Sequence, residues 1–139
     1  MTVKTSALSL RTSGKADIID ITTAAQQAVE ESQLQAGILT LFVPGSTAAL
    51  TTIEYERGVL QDFERLFDEI VSENRTYAHN AQWGDGNGHS HVRAALLGAS
   101  LTVPFAEGRL LLGTWQQIIL VDFDNRSRTR QVVTQVMGE

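Results

Sequence analysis

The C-terminal part of the chain constrains the fold most, because four β-rich segments follow one another there with only short turns between them. Parallel strands need a connection of about a dozen residues or more, whereas antiparallel strands can be joined by a tight turn. The segments are Ser100–Pro104, Arg109–Leu112, Gln116–Phe123 and Thr129–Val136. Their spacing predicts antiparallel pairing in an α+β fold and argues against a doubly wound parallel sheet.

The rest of the chain adds strands and amphipathic helices. Residues Gly37–Val43 are almost all apolar, which is typical of a strand covered on both faces. Between Gly58 and Ser72 the apolar residues recur at helical spacing, which predicts a helix. Further strands are predicted near residues 3–10 and 48–55, further helices over 22–32 and 89–97, and a long loop over 74–88. We expect a single domain over residues 1–139, with an antiparallel β-sandwich-like core flanked by two or three helices.

Composition excludes several classes of function. The formal net charge of -5 argues against broad nucleic-acid binding, which needs a clustered excess of Lys and Arg. The chain has no cysteine, so a transition metal must be held by His, Asp or Glu, and cysteine nucleophiles are excluded. It shows neither the pattern of a secretory signal nor an apolar run long enough to span a bilayer. We therefore expect a cytoplasmic protein with no nucleic-acid or membrane partner.

The three histidines are the strongest sign of chemistry, because His79, His89 and His91 cluster around a Gly- and Asn-rich stretch. In extended backbone His89 and His91 point to the same side. Three imidazoles with an open position form a recurrent catalytic zinc site. If the segment is helical from its first residue, His89 and His91 instead diverge by about 200°. The alternative to a metal site is that the three histidines are solvated and bind no ligand.

Carboxylates, hydroxyls and arginines supply further candidates. Glu54 is predicted at a strand end and Asp62 on a helix. If either lies near an imidazole, it would accept a proton or orient the ring. The alternative is that both are solvated surface groups. The small-residue turn at Ser46 and Thr47 suits an oxyanion or is a plain connection. A cluster of arginines near the C-terminus could bind a small phosphate, but it is too short to bind a nucleic-acid duplex. It consists of Arg126, Arg128 and Arg130.

Four separated strings resemble the YjbQ-like family, whose members are often labelled secondary thiamine-phosphate synthase. They are GSTAALTTIEYE at 45–56, YAHN at 77–80, NGHSHV at 87–92 and LGTWQQI at 112–118. The resemblance covers nearly the whole chain in order. It implies an α+β fold with a β-sandwich-like core, a homotrimer, and a polar site with metal-binding histidines. Within the last string we interpret Trp115 as a core residue.

The resemblance also implies roles for individual residues. Catalytic roles fall on Glu54, Asp62, His79 and His91, and substrate-binding roles on Ser46, Thr47, Arg93, Arg128 and Arg130. The chain departs from the family pattern at Gly45, where many relatives carry a histidine. We infer that His89 takes the place of that imidazole. His79, His89 and His91 would then hold a divalent metal, zinc or magnesium.

Two functions compete. The first is a metal-assisted enzyme acting on a small phosphorylated metabolite. In its thiamine-phosphate version a thiazole nitrogen attacks an aminopyrimidine methylene and pyrophosphate departs, which requires positive charge around the leaving group. Histidines suit a purely magnesium-driven reaction poorly, because Mg²⁺ prefers oxygen ligands. The second is a noncatalytic trimer that holds a metal or an anion for sensing or storage; a purely structural role for the loop is a third interpretation.

Overall fold

The computed structural model describes residues 1–139 and contains eight strands and four helices. The strands are β1 (Thr2–Thr12), β2 (Asp17–Asp20), β3 (Ala36–Phe42), β4 (Ala48–Ile53), β5 (Ser100–Ala106), β6 (Arg109–Leu110), β7 (Gln117–Asp122) and β8 (Arg128–Gly138). The helices are α1 (Thr22–Ser32), α2 (Arg57–Ile70), α3 (Ala78–Trp83) and α4 (Gly88–Leu97). None of these helices combines the length and the apolar character that crossing a membrane requires.

The strands form two sheets, one of five strands in the order β1-β8-β3-β5-β6 and one of three in the order β2-β7-β4. Every neighbouring pair is antiparallel. This confirms the expected antiparallel α+β class. The connection from β7 to β8 passes from the small sheet to the large one, so residues at this turn lie where the two sheets meet.

Two apolar clusters hold the layers together. The larger lies between the sheets, where Leu41 of β3 and Leu120 of β7 belong to one buried cluster together with α1 side chains. The smaller lies on the other face of the small sheet, where Ile119 packs with Phe67 of α2 and Ala94 of α4. Strand β7 is therefore buried on both faces, which explains its unbroken apolar run.

The long loop predicted over 74–88 is wrong in part, because helix α3 lies inside it. The helix has 6 residues and is capped by Gly84, whose φ of 74° is left-handed. Fewer than two turns give no detectable helical periodicity, so the sequence pattern contained no sign of it.

The interpretation of Trp115 as a core residue is also wrong, since 72% of its surface is exposed. Strand β6 ends at Leu110, two residues earlier than expected. Gly113 and Gln116 then close a tight turn, in which the Gly113 N–H donates to Gln116 Oε1 at 3.0 Å. The indole therefore projects from a turn and not from a buried strand.

Candidate functional site

Polar residues from three distant parts of the chain meet where β7 leaves the small sheet. The turn after β3 joins the β7–β8 connection through a hydrogen bond of 2.9 Å from the Phe123 N–H to the Thr47 carbonyl. The α3–α4 segment joins it through the Asn87 side-chain amide, which lies 3.3 Å from Asp124 Oδ1. The fold thus brings together the segments that carry most of the predicted site residues.

Asp122 is a fully buried carboxylate at the centre of this region. It accepts hydrogen bonds from Arg130 Nε at 2.7 Å and Nη2 at 2.9 Å, and from Thr12 Oγ1 at 2.5 Å. Burial alone would raise the pKa of Asp122, but these hydrogen bonds outweigh it and hold the pKa below its ordinary value of 3.8. The same bonds raise the pKa of Arg130, so both partners are charged near neutral pH.

Asp124, equally buried, fixes the neighbouring side chains. It accepts from Thr47 Oγ1 at 3.0 Å and from Arg128 Nε at 2.9 Å. Burial favours a higher pKa for Asp124, yet the backbone N–H of Asn125 and the side-chain donors lower it. Thr47 Oγ1 also accepts a hydrogen bond from Arg130 Nη2 at 2.6 Å. The predicted Thr47, Arg128 and Arg130 are therefore brought together, with most of their polar atoms occupied by the two aspartates.

His79 and His91 lie side by side, with ring centroids 4.4 Å apart. His79 Nε2 is 3.2 Å from Asp85 Oδ1 and 3.0 Å from the Asn87 amide. The Asn87 amide lies between the Asp124 and Asp85 carboxylates, with one of its two terminal atoms 2.9 and 3.1 Å from the Asp85 oxygens.

A carboxylate only accepts hydrogen bonds, so the Asn87 amide turns its nitrogen toward Asp85. In this orientation the nitrogen donates to both Asp85 oxygens and to His79 Nε2, at 3.0 Å. The side chains of His79, Asp85 and Asn87 are thus hydrogen-bonded to one another. No three His, Asp or Glu side chains of the chain are grouped to hold a metal ion. One chain therefore offers a partial ligand set, made of His79, His91 and Asp85.

A close approach of helix ends makes the histidine pair possible. The Gly88 N–H donates to Asn80 Oδ1 at 2.8 Å. A Cβ on Gly88 would lie 2.5 Å from Tyr77 Cβ, so only glycine lets the start of α4 come this near to the start of α3. That approach places His91 beside His79.

His89 does not join this pair. Helix α4 begins at Gly88, so His89 and His91 diverge, as the helical alternative requires. His89 borders a separate cavity of about 140 Å³, with Nε2 3.7 Å from Glu73 Oε2 and Nδ1 without a hydrogen-bond partner. Burial, reinforced by the charge of Arg93, lowers the pKa of His89, so the ring is neutral at neutral pH. The expectation that three histidines converge is wrong within one chain.

An arginine, not an imidazole, lies beside Gly45. A Cβ at Gly45 would be 2.8 Å from Arg130 Nη1, the one guanidinium nitrogen that makes no bond to Asp122 or Thr47. Gly45 lines an open cavity of about 490 Å³ together with Ser46 and His91. The free nitrogen of Arg130 therefore lies at the wall of the cavity that contains one of the paired histidines.

The other predicted residues lie elsewhere. Glu54 is exposed at the end of β4, and Asp62 pairs with Arg65 at 2.8 Å on the exposed side of α2. Arg93 is buried and donates through Nε to the Val71 carbonyl at 2.9 Å, which fastens α4 to the end of α2. No hydrogen bond or ion pair joins Glu54, Asp62 or Arg93 to the paired histidines.

Four residues of the site were not found by sequence reasoning, namely Asp85, Asn87, Asp122 and Asp124. The first two lie between the predicted histidines, where a carboxylate and an amide were available as metal ligands. Asp122 and Asp124 stand two residues apart at the end of an apolar strand. Arg128 and Arg130 stand two residues apart after the next turn. Residues two apart share a face of a strand, so this alternation indicated charge pairing across the turn.

A family model described as UPF0047 protein YjbQ-like matches residues 6–139. The chain belongs to the YjbQ-like family. A UPF0047 protein of Methanothermobacter thermautotrophicus is 40% identical over 139 residues, which cover 100% of this chain and 95% of that protein. The UPF0047 protein YugU of Bacillus subtilis is 33% identical over 133 residues, which cover 94% of this chain and 97% of that protein.

Solved structures similar to this chain have the same YjbQ-like fold. A YbjQ-like protein of unknown function from Sulfolobus solfataricus P2 matches with a TM-score of 0.89 at 35% identity, over 99% of this chain and 100% of that one. A hypothetical protein from Aeropyrum pernix K1 matches with a TM-score of 0.90 at 29% identity, over 98% and 99%. These matches confirm the resemblance and the architecture, and the names of these relatives state no activity.

Proposed function

We propose that the chain is a metal-assisted enzyme that acts on a small phosphorylated metabolite. The observation that carries this proposal is the convergence of His79 Nε2, the Asp85 carboxylate and the Asn87 amide within 3.2 Å of one another, beside the His91 ring. Imidazole nitrogens and carboxylate oxygens are the ligands by which a chain without cysteine holds a transition metal.

The ligand types favour zinc or a related divalent ion. His79 and His91 offer imidazole nitrogens, and Asp85 offers carboxylate oxygens, a mixture that suits zinc better than magnesium. When bound, such an ion polarises a substrate oxygen and offsets negative charge that develops on it. The coordination positions that these three residues leave free would admit substrate.

The phosphate would bind at the turn that follows β3. Arg130 Nη1 is free beside Gly45, and the exposed Ser46 lines the same cavity. Asp122 holds the rest of the guanidinium through two hydrogen bonds, so the free N–H is presented with little further loss of side-chain freedom. A fixed positive charge at this point favours the departure of a phosphate or pyrophosphate.

The thiamine-phosphate synthase reaction meets these requirements and is the version that we propose to test first. It joins two small rings and releases pyrophosphate, so it needs a cationic leaving-group site and no covalent nucleophile. The cavity of about 490 Å³ beside His91 is of a size that accepts a ligand of this class.

One observation favours the noncatalytic alternative, a trimer that holds a metal or an anion. The predicted proton acceptors Glu54 and Asp62 make no hydrogen bond or ion pair with the paired histidines. A single chain thus presents binding groups without a general base among them, apart from the histidines themselves.

Binding and turnover measured on one sample separate the two functions. We expect calorimetry to show zinc binding, and the zinc-loaded protein to release pyrophosphate from a phosphorylated thiazole and an aminopyrimidine pyrophosphate. His79→Ala is expected to abolish both, whereas His89→Gln, a histidine change outside the pair, is expected to leave both intact. Zinc binding without turnover of any phosphorylated metabolite in a wider panel supports the binding protein. Absence of zinc binding by the wild type contradicts both metal functions.

A further inference from the structure

A second cavity, of about 530 Å³, lies between helix α1 and the turn that joins β6 to β7. We call it the α1 cavity. It shares no lining residue with the cavity beside His91, and its volume is within the range of small-molecule sites. Leu110 and Leu112 form the apolar part of its wall, and the polar part consists of hydroxyl and amide side chains with one carboxylate, that of Glu30. The α1 cavity is therefore a candidate binding site separate from the histidine pair.

The charge of the α1 cavity limits the ligands that it can take. No Lys, Arg or His lines it, so a phosphate or a carboxylate would find no cation there. Glu30 is the only charged group of the wall, and one carboxylate provides too few ligands for a divalent cation. The ligand that suits this wall is an uncharged polar molecule.

Hydrogen bonds within the chain fix the wall before any ligand binds. Gln26 Nε2 donates to the Gly108 carbonyl at 2.9 Å, and Gln26 Oε1 accepts from the Leu110 N–H at 3.0 Å. These two bonds attach α1 to β6 and to the turn before it. Gln116 Nε2 donates to Thr52 Oγ1 at 3.0 Å, which attaches the β6–β7 turn to β4. A wall held in this way loses little conformational freedom when a ligand binds.

Other polar side chains of the wall remain free to bind a ligand. Thr23, Thr114 and Gln117 line the cavity and make no side-chain hydrogen bond within the chain. A hydroxyl or an amide side chain both donates and accepts, as the hydroxyls of a sugar do. Glu30 Oε1 accepts from Gln26 at 3.0 Å, which leaves the second oxygen of this carboxylate free to accept from a ligand. The free groups thus match a ligand that carries several hydroxyls.

Trp115 adds a large flat apolar surface at the edge of the α1 cavity. It stands between Thr114 and Gln116, which both line the cavity, and its side chain is largely exposed. Aromatic side chains normally bury about 150 to 250 Å² each, so an indole left in water is an uncovered contact surface. The bond from the Gly113 N–H to Gln116 Oε1 closes the turn and fixes where the indole is attached. A ring that enters the cavity can therefore pack on the indole while its polar edge bonds to the wall.

We propose that the α1 cavity binds an uncharged sugar of one or two rings. The C–H groups on one face of a pyranose form an apolar surface that packs on the Trp115 indole. The hydroxyls at the edge of the ring bond to Thr23, Thr114 and Glu30. A nucleobase also stacks on an indole, but it lacks these hydroxyls. The site needs no metal, so it is independent of the function proposed for the histidine pair.

Titration with glucose, galactose, mannose, xylose, maltose and cellobiose tests the site, with EDTA present so that zinc plays no part. At least one of these sugars is expected to bind in calorimetry. Trp115→Ala is expected to weaken this binding at least about tenfold, the scale of one aromatic contact. Trp83→Ala is the matched control, because Trp83 is equally exposed but ends α3 and does not line the cavity. Thr23→Val is nearly isosteric and is expected to weaken binding about threefold or more, since it removes only a hydroxyl.

Fluorescence locates the bound sugar. The chain has two tryptophans, so Trp83→Phe leaves Trp115 as the only indole, and its emission is expected to shift when the sugar binds. Failure of all the named sugars to bind overturns the proposal, and so does equal affinity of Trp115→Ala and Trp83→Ala. Sugar binding that leaves the Trp115 emission unchanged places the ligand elsewhere and also overturns it. If adenosine binds in a Trp115-dependent manner and none of the sugars does, the cavity takes a nucleobase and the sugar class is refuted.

Discussion

Replacing Asp122 by Asn tests whether the buried ion pair holds the site together. The side chain accepts two hydrogen bonds from Arg130, one from Thr12 and one from the Asp124 N–H at 3.0 Å. Asn keeps the volume but turns a nitrogen toward these donors and leaves the Arg130 charge without its main partner. Removing one partner of a buried pair costs about 3 to 5 kcal/mol. In a domain of this size that is a fall in Tm of roughly 10 to 15 °C.

Differential scanning calorimetry and urea unfolding at pH 7 would measure this loss. Asp62→Asn is the matched control, because its pair with Arg65 is exposed and is worth about 0.5 kcal/mol or less. If the two variants differ by less than about 1 kcal/mol, the Asp122–Arg130 pair does not hold the site in the way the buried geometry implies.

The remaining predictions concern pH, Gly45 and the histidines. Hydrogen bonding lowers the folded-state pKa of Asp122 and Asp124, so their stabilisation is complete above the ordinary value of 3.8 and is lost as the pH falls through the lower folded-state values. Urea midpoints from neutral to strongly acidic pH should show this fall, and Asp122→Asn should make it shallower; parallel curves would speak against it. Gly45→Ala places a Cβ 2.8 Å from Arg130 Nη1, so we expect a stability loss of about 1 kcal/mol and weaker phosphate binding by calorimetry. Undiminished phosphate binding would remove Arg130 from the substrate site. His91→Ala should weaken zinc binding at least about tenfold while His89→Gln leaves it unchanged, and equal losses would return His89 to the site.

The architecture was predictable because its signals are local and repeated. The short turn between β5 and β6 joins antiparallel neighbours, as the spacing required, whereas the next two connections pass between the sheets. The apolar run of Ile118–Val121 required a strand covered on both faces. Trp115 was misjudged because an aromatic residue beside β-rich sequence indicates burial only if the strand continues. Here the chain turns at Gly113 before the indole is reached.

The site was predictable as a region but not as a geometry. The clustering of His79 and His91 gave the correct segment, yet their contact depends on a short helix and on the approach of Gly88 to Tyr77, which no spacing rule contains. His89 was misassigned because the choice between extended and helical backbone decides on which side of α4 it lies. The partners of Arg130 are Asp122 of the other sheet and Thr47 of the turn after β3, so only the assembled fold brings them together.

Anomalous diffraction at the zinc edge, from crystals grown with zinc, tests the proposed metal site most directly. We predict one peak about 2.0 to 2.1 Å from an imidazole nitrogen of both His79 and His91, with an oxygen of Asp85 also bound. A zinc peak beside His89 and Glu73 would contradict the site. So would zinc bound anywhere else on the protein with no peak at His79.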